Sequence, residues 1–143
     1  MLVRQILKSK SGGVTTIAPS ATVADAVTML SARRIGALVV SSDGARAEGI
    51  LSERDIVREL GLSGGACLAA RVDQVMTPDP VACLPGDTVD AVLQKMTDGR
   101  FRHLPVVEGG RMVGLISIGD AVKARLDELH VEKDALEGMI KGF

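Results

Sequence analysis

Seven residues near the middle of the chain, Gly49-Ile50-Leu51-Ser52-Glu53-Arg54-Asp55, return in outline as Gly114-Leu115-Ile116-Ser117-Ile118-Gly119-Asp120. Both read Gly, two aliphatic residues, Ser, two free positions and Asp. Several kinds of chemistry are open to that pattern. A glycine at the start of a strand lets a ligand come close to the backbone. A helix beginning after the serine offers free N–H groups and a positive dipole to a phosphate. An aspartate there can accept two hydrogen bonds from a ribose diol, as acids do in dinucleotide sites. Ser followed three residues later by an acid is also a capping box, whose side chains satisfy orphan helix N–H groups. Capping accounts for the Ser and helps account for the Asp. It does not account for the glycine or the recurrence, and on the residues alone capping and ligand binding both stand.

The recurrence is not confined to the motif. Pro19 matches Pro85, Thr22 matches Thr88, Val23 matches Val89, Leu30 matches Met96 and Leu38 matches Leu104, all 66 positions apart. Past the next turn the spacing is 65, so Gly49 meets Gly114 and Asp55 meets Asp120. An internal duplication with one deletion explains this. Units of this size do not bury their apolar face alone, so two should pack together and leave a cleft along their shared axis.

Each unit reads as strand, helix, strand, strand, helix. Val14–Ile17 and Val81–Leu84 are short β-branched runs ahead of Pro19 and Pro85. Thr22 and Thr88 are placed as N-caps. Apolar residues at 23, 26, 27, 30 and at 89, 92, 93, 96 predict one buried stripe on each following helix. Strands over Ile35–Val40 and His103–Val107 lead through Asp43-Gly44 and Gly109-Gly110 turns to return strands Glu48–Leu51 and Met112–Ile116. The apolar return strands predict burial on both faces. Second helices start near Asp55 and Asp120. Gly61–Ala70 reads as a small-residue linker, and Val72–Met76 leads into the second unit. The division expected is 1–65 for the first repeat with its lead-in, 66–126 for the second with the linker, and 127–143 for a helical extension. Val122, Leu126, Leu129, Leu136 and Ile140 keep helical spacing there, interrupted by Lys133, a stripe that points to self-association, with a simple fold-back of the helix as the alternative.

Composition narrows the function classes. The 143 residues are 46% hydrophobic and 24% charged, enough for a real core. A net charge of −1 gives no field to recruit nucleic acid. Two Phe and no Tyr or Trp leave almost nothing on which bases could stack. No apolar run has membrane-span length, and the start has no signal-peptide segment, so a soluble, cytoplasmic protein is expected. Cys67 and Cys83 match no zinc or redox spacing and read as reduced, partly buried thiols. No nucleophile with a base, carboxylate pair or metal set stands out, so no enzyme, catalytic residue or metal site is expected.

Residues 14–60 and 76–126 resemble a tandem pair of cystathionine-β-synthase-type (CBS) domains, a Bateman module. The resemblance rests on Ile35-Gly36-Ala37-Leu38-Val39-Val40 followed by the first motif with Ile56-Val57, and on Arg102-His103-Leu104-Pro105-Val106-Val107 followed by the second. Met76-Thr77 at the entry to the second repeat is also similar. The resemblance leaves the first dozen residues and the last helix outside it. It implies an α+β fold of two βαββα repeats about a pseudo-twofold axis, with two clefts for adenosine nucleotides and a disc-like dimer. It places Asp55 and Asp120 on ribose, and Ser52 and Ser117 near ribose or phosphate. Arg102 and His103 would reach phosphate. Thr15, Thr16, Val81 and Ala82 would read the base through their backbone, with Ile35, Leu38, Met112 and Val113 lining its pocket. Arg54 is added on its own chemistry, since a guanidinium suits bidentate phosphate contact. Lys8 and Lys10 stand ahead of the first strand and could reach a phosphate, but exposed lysines usually do nothing specific.

The expectation is a non-catalytic regulatory module that binds an adenine nucleotide (AMP, ADP, ATP or NAD(H)), forms a homodimer and signals to a separate effector protein. Neither nucleic acid nor membrane is an expected partner. The alternative is a ligand-free structural dimerisation module whose motif aspartates only cap helices.

Overall fold

The computed structural model describes residues 1–10 and 13–140. The two halves follow the expected order of elements, and the fold is α+β. In the first half, Thr22 Oγ1 accepts the Asp25 N–H at 3.1 Å and the Asp25 carboxylate accepts the Thr22 N–H at 3.2 Å, which starts helix α2 (Val23–Arg33). Val23, Ala26 and Leu30 of α2 are buried, whereas Val27, expected in the same stripe, is exposed at the edge of that face. Thr88 Oγ1 caps α5 (Val89–Gly99) by accepting the Ala91 N–H at 3.1 Å, without a returning carboxylate, and Val89, Val92 and Met96 are buried.

Strands β1 (Thr16–Ile17), β2 (Ala37–Val40), β3 (Gly49–Ser52) and β4 (Thr77–Pro78) form one sheet in that order, with β1 parallel to β2 and the other pairs antiparallel. In the second half β5 (His103–Glu108) and β6 (Arg111–Ser117) pair antiparallel, with a bulge between Val106 and Val107. The run at Val81–Leu84, expected as a strand, is reduced to a single parallel bridge, Cys83 to Val106. The return strands differ. Gly49, Ile50 and Leu51 are all buried, as continuous apolar runs imply, but β6 alternates and leaves Val113 exposed, so only one of its faces is covered. Helix α3 (Glu53–Ser63) continues through Gly61, and Gly64–Ala69 is a 3-10 turn that buries Cys67 rather than a loose linker.

The lead-in segments trade places. Helix α1 (Val3–Ser9) packs Val3 and Ile6 into the core of the second half, with Val89, Val92, Leu104, Ile116 and Ala121. Helix α4 (Val72–Val75) packs Val72 into the core of the first half, with Val23, Leu38, Leu51 and Ile56. The backbone contacts repeat in pairs. Val89 N–H donates to Met1 O at 3.0 Å as Val23 N–H donates to Ala70 O at 2.9 Å, and Val3 N–H donates to Asp87 O at 2.9 Å as Val72 N–H donates to Ala21 O at 2.8 Å. This reciprocal exchange gives the molecule its pseudo-twofold axis. Residues 1–10, outside the resemblance, are thus part of the repeat. Val3, Gln5 and Leu7 match Val72, Gln74 and Met76 at an offset of 69, a register the spacing of 66 conceals.

The exchange also explains the motif glycines. A Cβ on Gly114 would lie 2.5 Å from Leu7 Cδ2, and one on Gly49 would collide with Met76 Sδ and lie 3.0 Å from Thr77 O. The close approach inferred for a ligand is made by the exchanged lead-in side chains. Gly114→Ala should cost roughly 1–3 kcal/mol by overpacking. Adding Leu7→Ala should recover part of that in urea denaturation, and strictly additive losses would show that the glycine does not serve Leu7. Rescue of Gly49→Ala by Met76→Ala should be smaller, because the Thr77 carbonyl stays in the way.

Candidate functional site: two clefts across the pseudo-twofold axis

Each motif closes on itself as a capping box. Ser52 N–H and Oγ both donate to Asp55 Oδ2, at 2.9 and 3.0 Å, and Ser52 Oγ accepts the Asp55 N–H at 3.4 Å. In the second half Ser117 N–H donates to Asp120 Oδ2 at 2.9 Å and Ser117 Oγ accepts the Asp120 N–H at 3.1 Å, which opens helix α6 (Ile118–Ile140). The first N–H of each helix is also taken, Glu53 N–H by Gly36 O at 3.0 Å and Ile118 N–H by Arg102 O at 2.8 Å. Two of the leading N–H groups at each N-terminus therefore already serve the fold.

Two clefts lie against these motifs, of about 430 and 420 Å³, within the range of small-ligand sites. Each is built from both halves. The first cleft sets Thr15 and Ile35 of the first half against Val113, Ser117 and Asp120 of the second. The second sets Ser52, Arg54 and Asp55 against Val81 and Arg102. His103 and Gly36 line both, so they form the wall between the clefts.

Four expected site residues fall outside both clefts. Leu38 is wholly buried in the first core, because on a strand its neighbour Ala37 takes the cleft side. Thr16 is displaced by the same alternation: it pairs with Val39, and Thr15 is the cleft residue. Ala82 turns its carbonyl to Lys95 Nζ at 3.0 Å. Met112 sits at the hairpin end, its N–H donating to Ala45 O at 2.7 Å.

Sequence reasoning missed other cleft residues. Lys10, set aside among exposed lysines, lines the first cleft and donates to Asp120 Oδ2 at 2.7 Å and to Leu115 O at 2.8 Å. Arg58, Thr77, Arg100 and Phe101 join the second cleft, and Arg34 joins the first. Arg34 and Arg100 stand 66 positions apart, so the repeat spacing itself carried their signal.

The two motif carboxylates differ in what remains open to a ligand. Asp55 is buried, and its Oδ1 accepts from Arg58 and, at 3.5 Å, from Thr77 Oγ1. Asp120 keeps about a quarter of its side chain exposed, at 24%, and its Oδ1 has no hydrogen bond among the described residues. Burial pushes the Asp120 carboxyl up, but the Lys10 ammonium and the Ser117 N–H outweigh it and hold the group below the ordinary carboxylate range. His103 is shifted down, chiefly by burial and further by Lys10 and Arg102, against the pull of Asp120 and Glu53. The Cys83 thiol is pushed up to about 11 by burial and by Asp87, against the lowering effect of Lys95, so at neutral pH it is not a thiolate nucleophile. No group of three His, Cys, Asp or Glu among the described residues is placed to hold a metal ion, and no described helix is long and apolar enough to cross a membrane.

The CBS domain family model matches residues 3–62 and 72–127, one match per half. The chain belongs to the CBS-domain family. The first match starts at Val3, on the exchanged helix α1. A CBS-domain containing protein of Agrobacterium tumefaciens is 43% identical, superimposes with a TM-score of 0.83, and is matched over 87% of this chain and 99% of that one. A CBS domain protein of Pyrobaculum aerophilum, solved in complex with AMP, is 26% identical with a TM-score of 0.74 over 84% of this chain and 89% of that one. The mitochondrial CBS domain-containing protein CBSX3 of Arabidopsis thaliana is 34% identical over 139 residues, which are 94% of this chain and 68% of the relative. The chain spans only about a quarter of other, longer Arabidopsis relatives. A tandem pair of CBS domains is thus the architecture of this chain.

The His103 shift gives a pH dependence. Its folded pKa lies below the ordinary 6.5, so the unfolded chain takes up the proton first as pH falls. Stability from this group is therefore full above 6.5, is lost as pH falls from 6.5 toward the folded value, and changes no further below it. The unfolding free-energy difference between wild type and His103→Gln should be flat above pH 7 and shrink below about 6.5. A difference independent of pH would remove the burial account.

Proposed function

We propose that this CBS pair is a non-catalytic regulatory module that binds an adenine nucleotide (AMP, ATP or NAD(H)) in its clefts and passes the bound state to a separate effector protein. One observation carries the reading: in each cleft a motif Ser and Asp from one half meet apolar and basic groups from the other. A ligand there would hold the two halves in one arrangement. The AMP complex of the Pyrobaculum relative supports an adenine ligand. With no Trp or Tyr available, a base in the first cleft would lie between aliphatic groups such as Ile35 and Val113, whereas the second cleft has the Phe101 ring.

One specific observation favours a structural role for one of the clefts. Asp55 already has its oxygens engaged, so a ribose diol there must displace Arg58 or Thr77, whereas Asp120 offers Oδ1 as it stands. In a thermal-shift titration with AMP, a ligand at a hundred times its dissociation constant should stabilise by about 2.7 kcal/mol. Asp120→Asn should reduce the AMP-induced shift more than Asp55→Asn. An unchanged shift in the double variant would refute ribose recognition, and a wild type with no AMP-induced shift would favour the ligand-free dimerisation module.

The module also pairs with a second copy in this reading. Val57 (66% exposed), Leu60 and Leu62 on α3, and Val122, Leu126 and Leu129 on α6, expose more apolar surface than scattered residues do. Ile56 and Ala121 on the same helices are buried in the cores and take no part in this surface. Light scattering at micromolar concentration should give twice the chain mass, and Leu60→Glu with Leu126→Glu should halve it. A monomeric wild type would overturn the dimer.

A further inference from the structure

Three non-glycine residues among those described hold a positive φ: Arg34 (53°), Asp79 (45°) and Arg100 (55°). All three line a cleft, Arg34 the first and the other two the second. A left-handed conformation is unfavourable for a residue with a Cβ, and it persists where something else requires the side chain. Arg34 and Arg100 occupy the same place in the two repeats. Each follows the last turn of the helix leading to the inward strand, with Arg34 N–H donating to Leu30 O and Ser31 O, and Arg100 N–H donating to Met96 O. That is the position where helices favour glycine, and the chain has a glycine one residue earlier, at Gly99, where the Phe101 ring leaves no room for a Cβ.

Neither guanidinium is tied to a local carboxylate, although Arg100 stands at the end of α5, whose last turn has no other basic residue. Among the described residues neither forms an ion pair with a carboxylate. The dipole of α2 already has Arg33 in its last turn, so Arg34 is not required there for charge. Of the other cations beside the motifs, Lys10 is committed to Asp120 and Arg58 to Asp55, while Arg54 and Arg102 line the second cleft and have Gly119 and Gly36 at the equivalent places of the other repeat, so they are not shared by the two clefts as Arg34 and Arg100 are. The helix N-termini are largely committed too, with the first N–H tied to the opposing strand entry and another to the motif serine. In the second cleft Arg54 Nη1 reaches the Arg100 carbonyl at 3.5 Å, which braces the left-handed turn.

We infer that Arg34 and Arg100 are the paired anion-reading residues of the two clefts, one for each, and that the left-handed turn is what aims each guanidinium at a ligand phosphate. This rests on the nucleotide reading above for the identity of the ligand, but not for its charge. A guanidinium offers a rigid fork of donors matched to phosphate oxygens and remains charged at every accessible pH.

Glycine is the substitution that separates this role from capping, because it relieves the turn while removing the side chain. Arg34→Gly and Arg100→Gly should fold with unchanged or raised melting temperature. By calorimetry with AMP, each should weaken one site by roughly tenfold or more while the other site keeps its affinity. Adenosine should bind both variants within about twofold of wild type, since it carries no phosphate. Inorganic pyrophosphate should stabilise the wild type and lose that effect in the Arg34→Gly, Arg100→Gly double variant. If AMP and adenosine weaken equally, or neither weakens, the arginines are only helix ends and the inference is overturned. If wild type binds neither AMP nor adenosine while pyrophosphate stabilises it through these arginines, the adenine reading fails and the anion-reading role stands. If none of the three probes binds, both fall.

Discussion

The reciprocal exchange of the two lead-in helices is the constraint on which the rest of the molecule depends. Val3 and Ile6 complete the core of the second half, and Val72 completes the core of the first. Burying a Val or Ile side chain contributes about 1.5–3 kcal/mol, a large share of a marginal total stability. Neither half has a complete core without a segment that precedes the other in the chain. The halves are thereby held face to face, and the space between their inward strands becomes two clefts. Leu7 and Met76 seat against Gly114 and Gly49, so the same exchange that joins the halves also sets the height of each motif strand.

The motif residues perform a folding task first and leave the remainder for chemistry. Ser52 and Ser117 cap helices, and Asp55 and Asp120 return the cap. What is left over differs between the clefts. Asp55 is sealed by Arg58 and Thr77, while Asp120 shares one oxygen with Lys10 and keeps the other open. The asymmetry arises outside the motif, from a lysine at the end of α1 and an arginine one helical turn past Asp55. Two motifs of common origin are thus left with different free hydrogen-bonding capacity by the neighbours that each one meets.

His103 and Gly36 make the clefts one electrostatic system. The imidazole stands between Asp120 and Lys10 on one side and Glu53 and Arg102 on the other, and burial holds its proton affinity down. A Cβ on Gly36 would lie 3.7 Å from His103 Cε1 and 3.6 Å from Glu53 Oε1, so the partition is thin. Charge placed in one cleft acts on a wall the other cleft shares, in surroundings where screening is weaker than in water.

Helices α2 and α5, the two caps, the hairpins at Gly44 and Gly109-Gly110 and the duplication itself were legible from residue order, because caps and periodic stripes act over three or four residues. The family was legible for the same reason, since its motif is local. The reduction of the strand expected over Val81–Leu84 to one bridge at Cys83 was not, because a strand exists only through its partner. The site was legible by halves. Ser52, Asp55, Ser117 and Asp120 follow from the motif, but their assembly with Val81, Arg102, Thr15 and Ile35 crosses the pseudo-twofold axis. Leu38 and Thr16 were assigned to the cleft although strand alternation turns the cleft side over to their neighbours. Lys10 meets Asp120 across 110 positions, and α1 joins a core whose other members begin at Cys83. Such contacts depend on which surfaces the exchange brings together, a property of two packed halves that no local spacing contains.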